Sequence, residues 1–321
     1  MNKFILLVTL AATMSVEATA DKISMESARK KAYAFWNKTM GNTRHLKTQS
    51  VSSKSQSYYV FNDEAKGFVI VAGDDNAPTI LGYSDHGTFH ADSLPDGLRA
   101  MLNSYDRQIS ALEKSTKAHV TSDETDFHGE KKLTTAEWNQ TGYYAQYTPY
   151  RTYTGCVATA LAIVLKYYGY PNQPEGRNIY YSDYAHAYLK VDYSQSHYDF
   201  DAMPLKKETG MTTAQFKGVA KLMYDLGVAV NMEYGASGSG AVNANIPGAL
   251  QLYYKYSPEM QMRFASSYSA EEWKTMVREE INKDRPLLYM GEENNAPHAY
   301  VIDGYKDKLF SINWGWGGQY N

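Results

Sequence analysis

Apolar residues recur along this chain in two rhythms, one helical and one strand-like, and the places where both fail divide it. Ser24 stands before Met25, Ala28, Ala32 and Phe35, a helical spacing with a hydroxyl able to cap it. "SYYVFN" (57–62) and "GFVIVAG" (67–73) flank the polar Asp63–Lys66, a hairpin pattern, and "PTILGYS" (78–84) offers a third strand. Pro95 then opens a helix whose apolar stripe is Leu98, Met101, Leu102, Tyr105, Ile109 and Leu112. Residues 114–131, "KSTKAHVTSDETDFHGEK", carry almost no apolar periodicity and read as an exposed linker open to proteolytic cleavage.

Periodicity resumes over 132–321. A helix is expected at 156–168 with Ala160, Ile163, Val164 and Tyr167 inward. Another is expected near 212–227 on Phe216, Val219, Met223 and Leu226. A third starts at Ser269, where Glu272 completes a capping box ahead of Trp273, Met276 and Val277. After Pro286 the pattern turns to strands, "LLYM", "HAYVIDGY" and "LFSINWG", the last two joined as a hairpin through "YKDKL". "GASGSGA" (235–241) reads as a flexible loop. The expected architecture is α+β, a small unit at 21–113 ahead of a larger one at 132–321.

The first twenty residues stand apart. Lys3, an apolar run from Phe4 through Met14, and Ala18-Thr19-Ala20 form the pattern of a secretory signal peptide, so residues 1–20 are expected to be removed on export to a periplasmic or extracellular location. No later segment holds the ~18 continuous apolar residues of a membrane span, so stable membrane insertion is not expected. A net charge of −3 offers no polybasic surface, which argues against nucleic acid as a partner. Tyrosine is abundant, 29 residues, and points to half-buried β-rich packing.

Export sharpens the meaning of Cys156, the single cysteine in 321 residues. Structural cysteines of exported proteins come in pairs. A lone one is a buried small hydrophobe, an intermolecular bridge or a reactive thiol. Its position favours chemistry: Gly155 permits a sharp turn, and the first turn of the following helix would favour an anion, lowering the thiol pKa. His298, 142 residues downstream at the head of an expected strand, is a candidate base. Asn313 and Trp314, in "INWGWGG", could orient and cover that base, although tryptophans and glycines also pack turns. Gln140, sixteen residues before the cysteine, could donate to an oxyanion together with the Cys156 N–H. His86 and His90 are spaced i, i+4 without a carboxylate motif, so no metal site is expected, and His128 reads as solvated.

Taken together, "WNQ" (138–140), "GCVATALA" with "KYYGYP" (155–171), "YGASGSGA" (234–241), "PHAYVIDGY" (297–305) and "NWGWGG" (313–318) resemble the streptopain-like family of secreted bacterial cysteine peptidases. "GFVIVAGDD", "ILGYS" and the "LP" ahead of the helix at 96 resemble that family's inhibitory propeptide. The resemblance implies a papain-like fold behind an N-terminal propeptide that acts as an intramolecular inhibitor, and endopeptidase activity on protein or peptide substrates without a cofactor. It implies Cys156 as nucleophile, His298 as base, Gln140 at the oxyanion, and Asn313 with Trp314 supporting the histidine. Ser239, Gly240 and Pro297 fall where the family lines its substrate cleft. Two departures stand out. Family members continue beyond "GWGGQY" with a further strand and glycine-rich segment, so the sequence reads as a truncated product. Ile163 replaces a usual glutamine, expected to be a packing change. The competing readings are a catalytically impaired peptide-binding or protease-inhibitory protein, and an acyltransferase of transglutaminase type.

Overall fold

A computed structural model describes residues 22–40, 46–49, 56–63, 67–112, 128–293 and 296–321. The expected signal segment and most of the expected linker therefore lie outside the described residues. The Ser24 hydroxyl accepts the Ser27 N–H and starts helix α1 (Met25–Met40). Ala28, Ala32 and Trp36 form its buried face, whereas Met25 is exposed, because the i, i+4 row ending on Trp36 meets the sheet. Strands β1 (Lys47–Gln49), β2 (Tyr58–Asn62), β3 (Phe68–Ala72) and β4 (Ile80–Ser84) make one antiparallel sheet in that order. Helix α2 (Asp96–Leu112) closes the unit. All five residues of β3 are buried. Val69 and Val71 pack toward α1, while Phe68, Ile70 and Ala72 share a core with α2. A strand covered on both faces loses the polar alternation of a half-exposed one.

The larger unit begins with β5 (Glu130–Lys132) and continues into α3 (Cys156–Tyr168). A hairpin of β6 (Arg177–Ser182) and β7 (Ala187–Asp192) precedes α4 (Lys217–Ala229) and α5 (Asn245–Tyr253). The capping box at Ser269 and Glu272 forms and starts α6 (Ala270–Asn282). Strands β8 (Leu287–Glu293), β9 (Ala296–Lys306) and β10 (Leu309–Asn313) follow, with β9 the hub: it pairs antiparallel with β8, β10 and β5. Every residue of α3 from Val157 to Leu165 is buried, so the helix is a central rod rather than an amphipathic one. Ile163 lies fully inside the core.

Tyrosine packs the sheets, as in the cross-strand pairs Tyr289–Tyr300 and Tyr181–Tyr188, and also fills the helical part. Tyr193, Tyr198 and Tyr254 are fully buried beside the helices. Tyr193 stacks on Tyr253 at 4.6 Å, and the Tyr198 hydroxyl donates to the buried Asp225 carboxylate at 2.8 Å. That carboxylate also accepts from Ser196 and is paired with Lys221, which compensates its removal from water.

The two units share a core through α2. Leu98, Leu102, Tyr105 and Ile109 pack in one cluster with Phe68 and Ile70 on one side and Tyr300, Ile302 and Trp314 on the other. The segment after β10 is tied to the small unit as well. The Tyr320 hydroxyl donates to the Ser93 carbonyl at 3.3 Å, and the Ser84 hydroxyl donates to the Asn321 carbonyl at 2.9 Å. His86 bridges the units: Nδ1 lies 2.6 Å from the Asp85 carboxylate and Nε2 2.6 Å from the Gly318 carbonyl oxygen. Both ring nitrogens face acceptors, so both contacts are made as hydrogen bonds only by the imidazolium. The Asp85 hydrogen bond, then the Gly318 carbonyl and the charge of Glu137, hold the His86 pKa above its usual value against an opposing effect of burial.

The sign follows. A histidine whose pKa is raised in the folded chain contributes fully below its free value near 6.5, and the contribution fades as pH rises through the folded-state value. His86→Ala should therefore lower the melting temperature of a Cys156→Ala chain more at pH 6 than at pH 8, read by thermal melts. A difference that grows with pH would contradict the bridge.

Candidate functional site

Cys156 is the first residue of α3, and Gly155 before it has φ 87°. A side chain at 155 would be strained in that conformation, and its Cβ would stand 2.7 Å from Met232 Sδ and 2.9 Å from the Ser239 carbonyl oxygen. Glycine is thus required both by the turn and by the close approach of the 235–240 loop. The backbone at Ala299, Val157 and Cys156 lies near the sulfur and favours its anionic form. Ala299 follows His298 on β9, which brings the candidate nucleophile and base onto adjoining elements.

The helix start favours a thiolate, as its sequence suggests, but it does not decide the outcome here. Burial pushes the Cys156 thiol up, the backbone at those three residues opposes this, and the charge of Asp96 adds to the rise. Burial likewise pulls the His298 imidazole below its ordinary range, with Asp96 opposing. The preferred state is a neutral thiol beside a neutral imidazole. Among the described residues no hydrogen bond joins the His298 ring to Cys156 or to Asn313.

The cover is the first turn of α2. A Cβ at Gly97 would lie 2.8 Å from Trp314 Cζ3, 3.0 Å from Cε3 and 3.6 Å from His298 Cβ. The helix backbone therefore packs tightly on the Trp314 ring, where no larger residue fits without a shift, and lies near the His298 Cβ. Asp96 and Gly97 were not legible as site residues. Pro95 marks a helix start, but nothing local shows what that start meets.

The remaining candidates divide. Trp314 is buried, donates through Nε1 to the Tyr320 carbonyl at 3.0 Å, and lies 5.0 Å from the Tyr300 ring. Asn313 is buried next to it, but its amide donates to Thr135 Oγ1 at 3.0 Å and the Ala136 carbonyl at 2.9 Å, and its oxygen accepts the Gly315 N–H. It is held there because Thr135 in turn donates to buried Asp303, which pairs with Lys132. Gln140 is half-buried. Its backbone N–H donates to Asn139 Oδ1, and its carbonyl accepts the Thr154 N–H at 2.9 Å. Its side-chain amide has no hydrogen-bond partner among the described residues and is available to a ligand. The Ser239 hydroxyl donates to the Tyr153 carbonyl at 2.7 Å, joining the 235–240 loop to the segment leading into Cys156. Gly240 is exposed and forms a β-bridge with Glu233. Pro297 sits on β9 opposite Glu292, one residue before His298. No group of three or more potential metal ligands occurs among the described residues, and no described helix is long and apolar enough to cross a membrane.

The model of the Peptidase C10 family matches residues 138–321, more than half of the chain. The chain belongs to the Peptidase C10 family. A second model, Spi protease inhibitor, matches residues 20–109. The C10 chain is 31% identical over 296 residues to the thiol protease/hemagglutinin PrtT of Porphyromonas gingivalis, covering 82% of this chain but spanning only 33% of that protein. It is 29% identical to streptopain of Streptococcus pyogenes, over 81% of this chain and 71% of the relative. Prointerpain A of Prevotella intermedia, a fragment carrying a Cys-to-Ala mutation, superposes with a TM-score of 0.75 at 30% identity, covering 87% of this chain and 90% of that one. Active interpain A superposes with a TM-score of 0.55 at 32% identity, over 62% and 87% of the two chains. The C10 fold is thus papain-like, with the inhibitor-type domain seated in front of it.

Gly97→Leu should lift the first turn of α2 off Trp314 and His298 and speed iodoacetamide alkylation of Cys156 in the intact chain by about tenfold or more. Asp96→Asn removes the nearby charge without adding bulk, and should move the pH midpoint of alkylation downward. Alkylation profiles for both variants matching the wild type would show that α2 does not set the thiol's reactivity.

Proposed function

We propose that this chain is the zymogen of an exported cysteine endopeptidase, in which residues 21–113 inhibit the unit at 132–321 until the linker at 114–131 is cut. One observation carries the reading: Cys156, at the N-terminus of a buried helix, adjoins His298 through Ala299, and the first turn of α2 packs on Trp314 and lies near that histidine. The apolar segment at 1–20 supports export.

Removal of α2 withdraws the Asp96 charge from the thiol. The backbone at Ala299, Val157 and Cys156 then favours the thiolate, and His298 takes its proton. The sulfur attacks the scissile carbonyl carbon, and the carbonyl electron pair moves to oxygen. The Cys156 N–H and the side-chain amide of Gln140 stabilise that oxyanion. Collapse expels the amine, which takes the proton from His298, and leaves a thioester on Cys156. His298 then deprotonates a water, whose oxygen attacks the thioester. The acid product departs and the thiol is regenerated. Ser239, Gly240 and Pro297 line the approach of the substrate backbone, and Trp314 shields the imidazole. Asn313 supports the histidine through the backbone of its turn, since its side chain is committed to Thr135 and Ala136.

The full chain, incubated alone and followed by mass spectrometry, should cut itself within 114–131 and then hydrolyse casein. Cys156→Ala should do neither, and Gln140→Ala should lower kcat about 10²–10³-fold with a smaller change in KM. A Cys156→Ala preparation that still hydrolyses casein overturns the assignment. A chain that binds peptide but never forms an adduct with an epoxide thiol-protease inhibitor, even after linker cleavage, is instead a peptide-binding relative.

A further inference from the structure

Between Gln140 and Cys156 the chain makes a detour. The Thr154 N–H closes it on the Gln140 carbonyl at 2.9 Å, and the loop 141–153 stands outside that bond. Five tyrosines lie in it. Two anchor the loop inward: Tyr143 and Tyr144 pack on Phe216 at 5.5 and 5.2 Å. Three face outward: Tyr147 and Tyr153 are each more than a third exposed, and Tyr150 is 74% exposed.

The loop is braced rather than slack. The Thr148 hydroxyl donates to the Thr152 carbonyl at 2.7 Å, and Gln146 Nε2 donates to the Tyr143 and Thr213 carbonyls. Tyr150 and Arg151 both have left-handed backbones, φ 52° and 57°, unfavourable for such side chains. The fold thus holds a bulky aromatic residue out into solvent in a strained conformation. Such outliers persist where the surroundings impose them and concentrate at binding sites. The Tyr150 ring meets Tyr184, from the β6–β7 turn, edge-on at 5.7 Å, so the two rings make a fixed corner.

This corner is continuous with the catalytic cleft. Its loop is rooted at one end on Gln140 and at the other on the segment into Cys156, and the Tyr153 carbonyl is held by Ser239 from the facing loop. The rings are exposed while α2 covers Trp314 and His298, so the propeptide leaves this part open.

We infer that Tyr147, Tyr150, Tyr153 and Tyr184 form an aromatic rim that grips extended polypeptide substrates outside the reacting residues, selecting a large aromatic side chain there. Rigid tyrosines give contact area at low entropic cost. An extended peptide of eight residues spans ~27 Å and so offers side chains well beyond the reacting bond. The inference rests on the peptidase reading above.

The test compares the self-processed wild type with Tyr150→Asn and Tyr150→Phe. Asparagine tolerates the left-handed backbone, so the loop is preserved while the ring is lost. The substrates are a fluorogenic two-residue amide and octapeptides in which one phenylalanine is moved through the flanking positions against a glycine control. Tyr150→Asn should lower kcat/KM roughly 3- to 10-fold, through KM, for at least one phenylalanine position, leave the short amide within about twofold, and be rescued by Tyr150→Phe. Equal losses on short and long substrates, no loss at any position, or no rescue by phenylalanine would overturn the rim. If the wild type cleaves neither substrate, the catalytic reading fails separately. The rim is then judged by fluorescence anisotropy of a labelled phenylalanine octapeptide on the full Cys156→Ala chain, where weaker binding on adding Tyr150→Asn supports it and unchanged binding overturns it.

Discussion

The burial of one helix stripe governs both halves of this molecule. Leu98, Leu102, Tyr105 and Ile109 complete the core of the small sheet and simultaneously cover Tyr300, Ile302 and Trp314 of the large one. Each such side chain contributes about 1.5–3 kcal/mol when removed from water, so α2 cannot withdraw without exposing apolar surface on two sides. The stripe also sets the helix's position along its axis. With Leu98 seated, the first turn can only lie where it does, with Gly97 against the Trp314 ring. Occlusion of His298 is thus a geometric consequence of core packing, and needs no contact evolved for the histidine alone.

The same arrangement explains why the Cys156 thiol is held up rather than down. The backbone at the start of α3 and at Ala299 favours the thiolate, but burial outweighs it and Asp96 adds a like charge. Cys156 packs against the large unit's own core, so the helix start and that packing are permanent, whereas the Asp96 charge arrives with the smaller unit. What the small unit changes at the thiol is the charge beside it.

Much of this was readable in the chain because it is local. The α3 boundaries follow from Gly155 and an unbroken apolar run. The cap of α6 follows from Ser269 and Glu272, and the β9–β10 hairpin from "YKDKL". The small unit's two helices and three longer strands were legible for the same reason. Helix α5 and the β6–β7 hairpin were not. The first is short and carries Pro247 and Gly248 within it, and the second is a tyrosine-rich pair with an exposed face. The candidates Cys156, His298 and Gln140 were proposed from residue type, order and family resemblance. Asp96, Gly97 and His86 did not, because their roles depend on how two units meet. Local periodicity carries no record of which surfaces face each other.

That distinction bears on the groups around His298. Asn313 is fixed from within the larger unit, through Thr135, Ala136, Asp303 and Lys132, none of which belongs to the small domain. Its position is therefore independent of the propeptide. Trp314 is different. Its ring touches Gly97 and Tyr300, and its Nε1 donates to Tyr320, whose own hydroxyl donates to Ser93 of the small unit. Departure of α2 removes one wall from the indole and releases one tie on the segment that holds it. The asparagine is thus a fixed post of the larger unit, and the tryptophan is the part whose surroundings change when the small unit leaves.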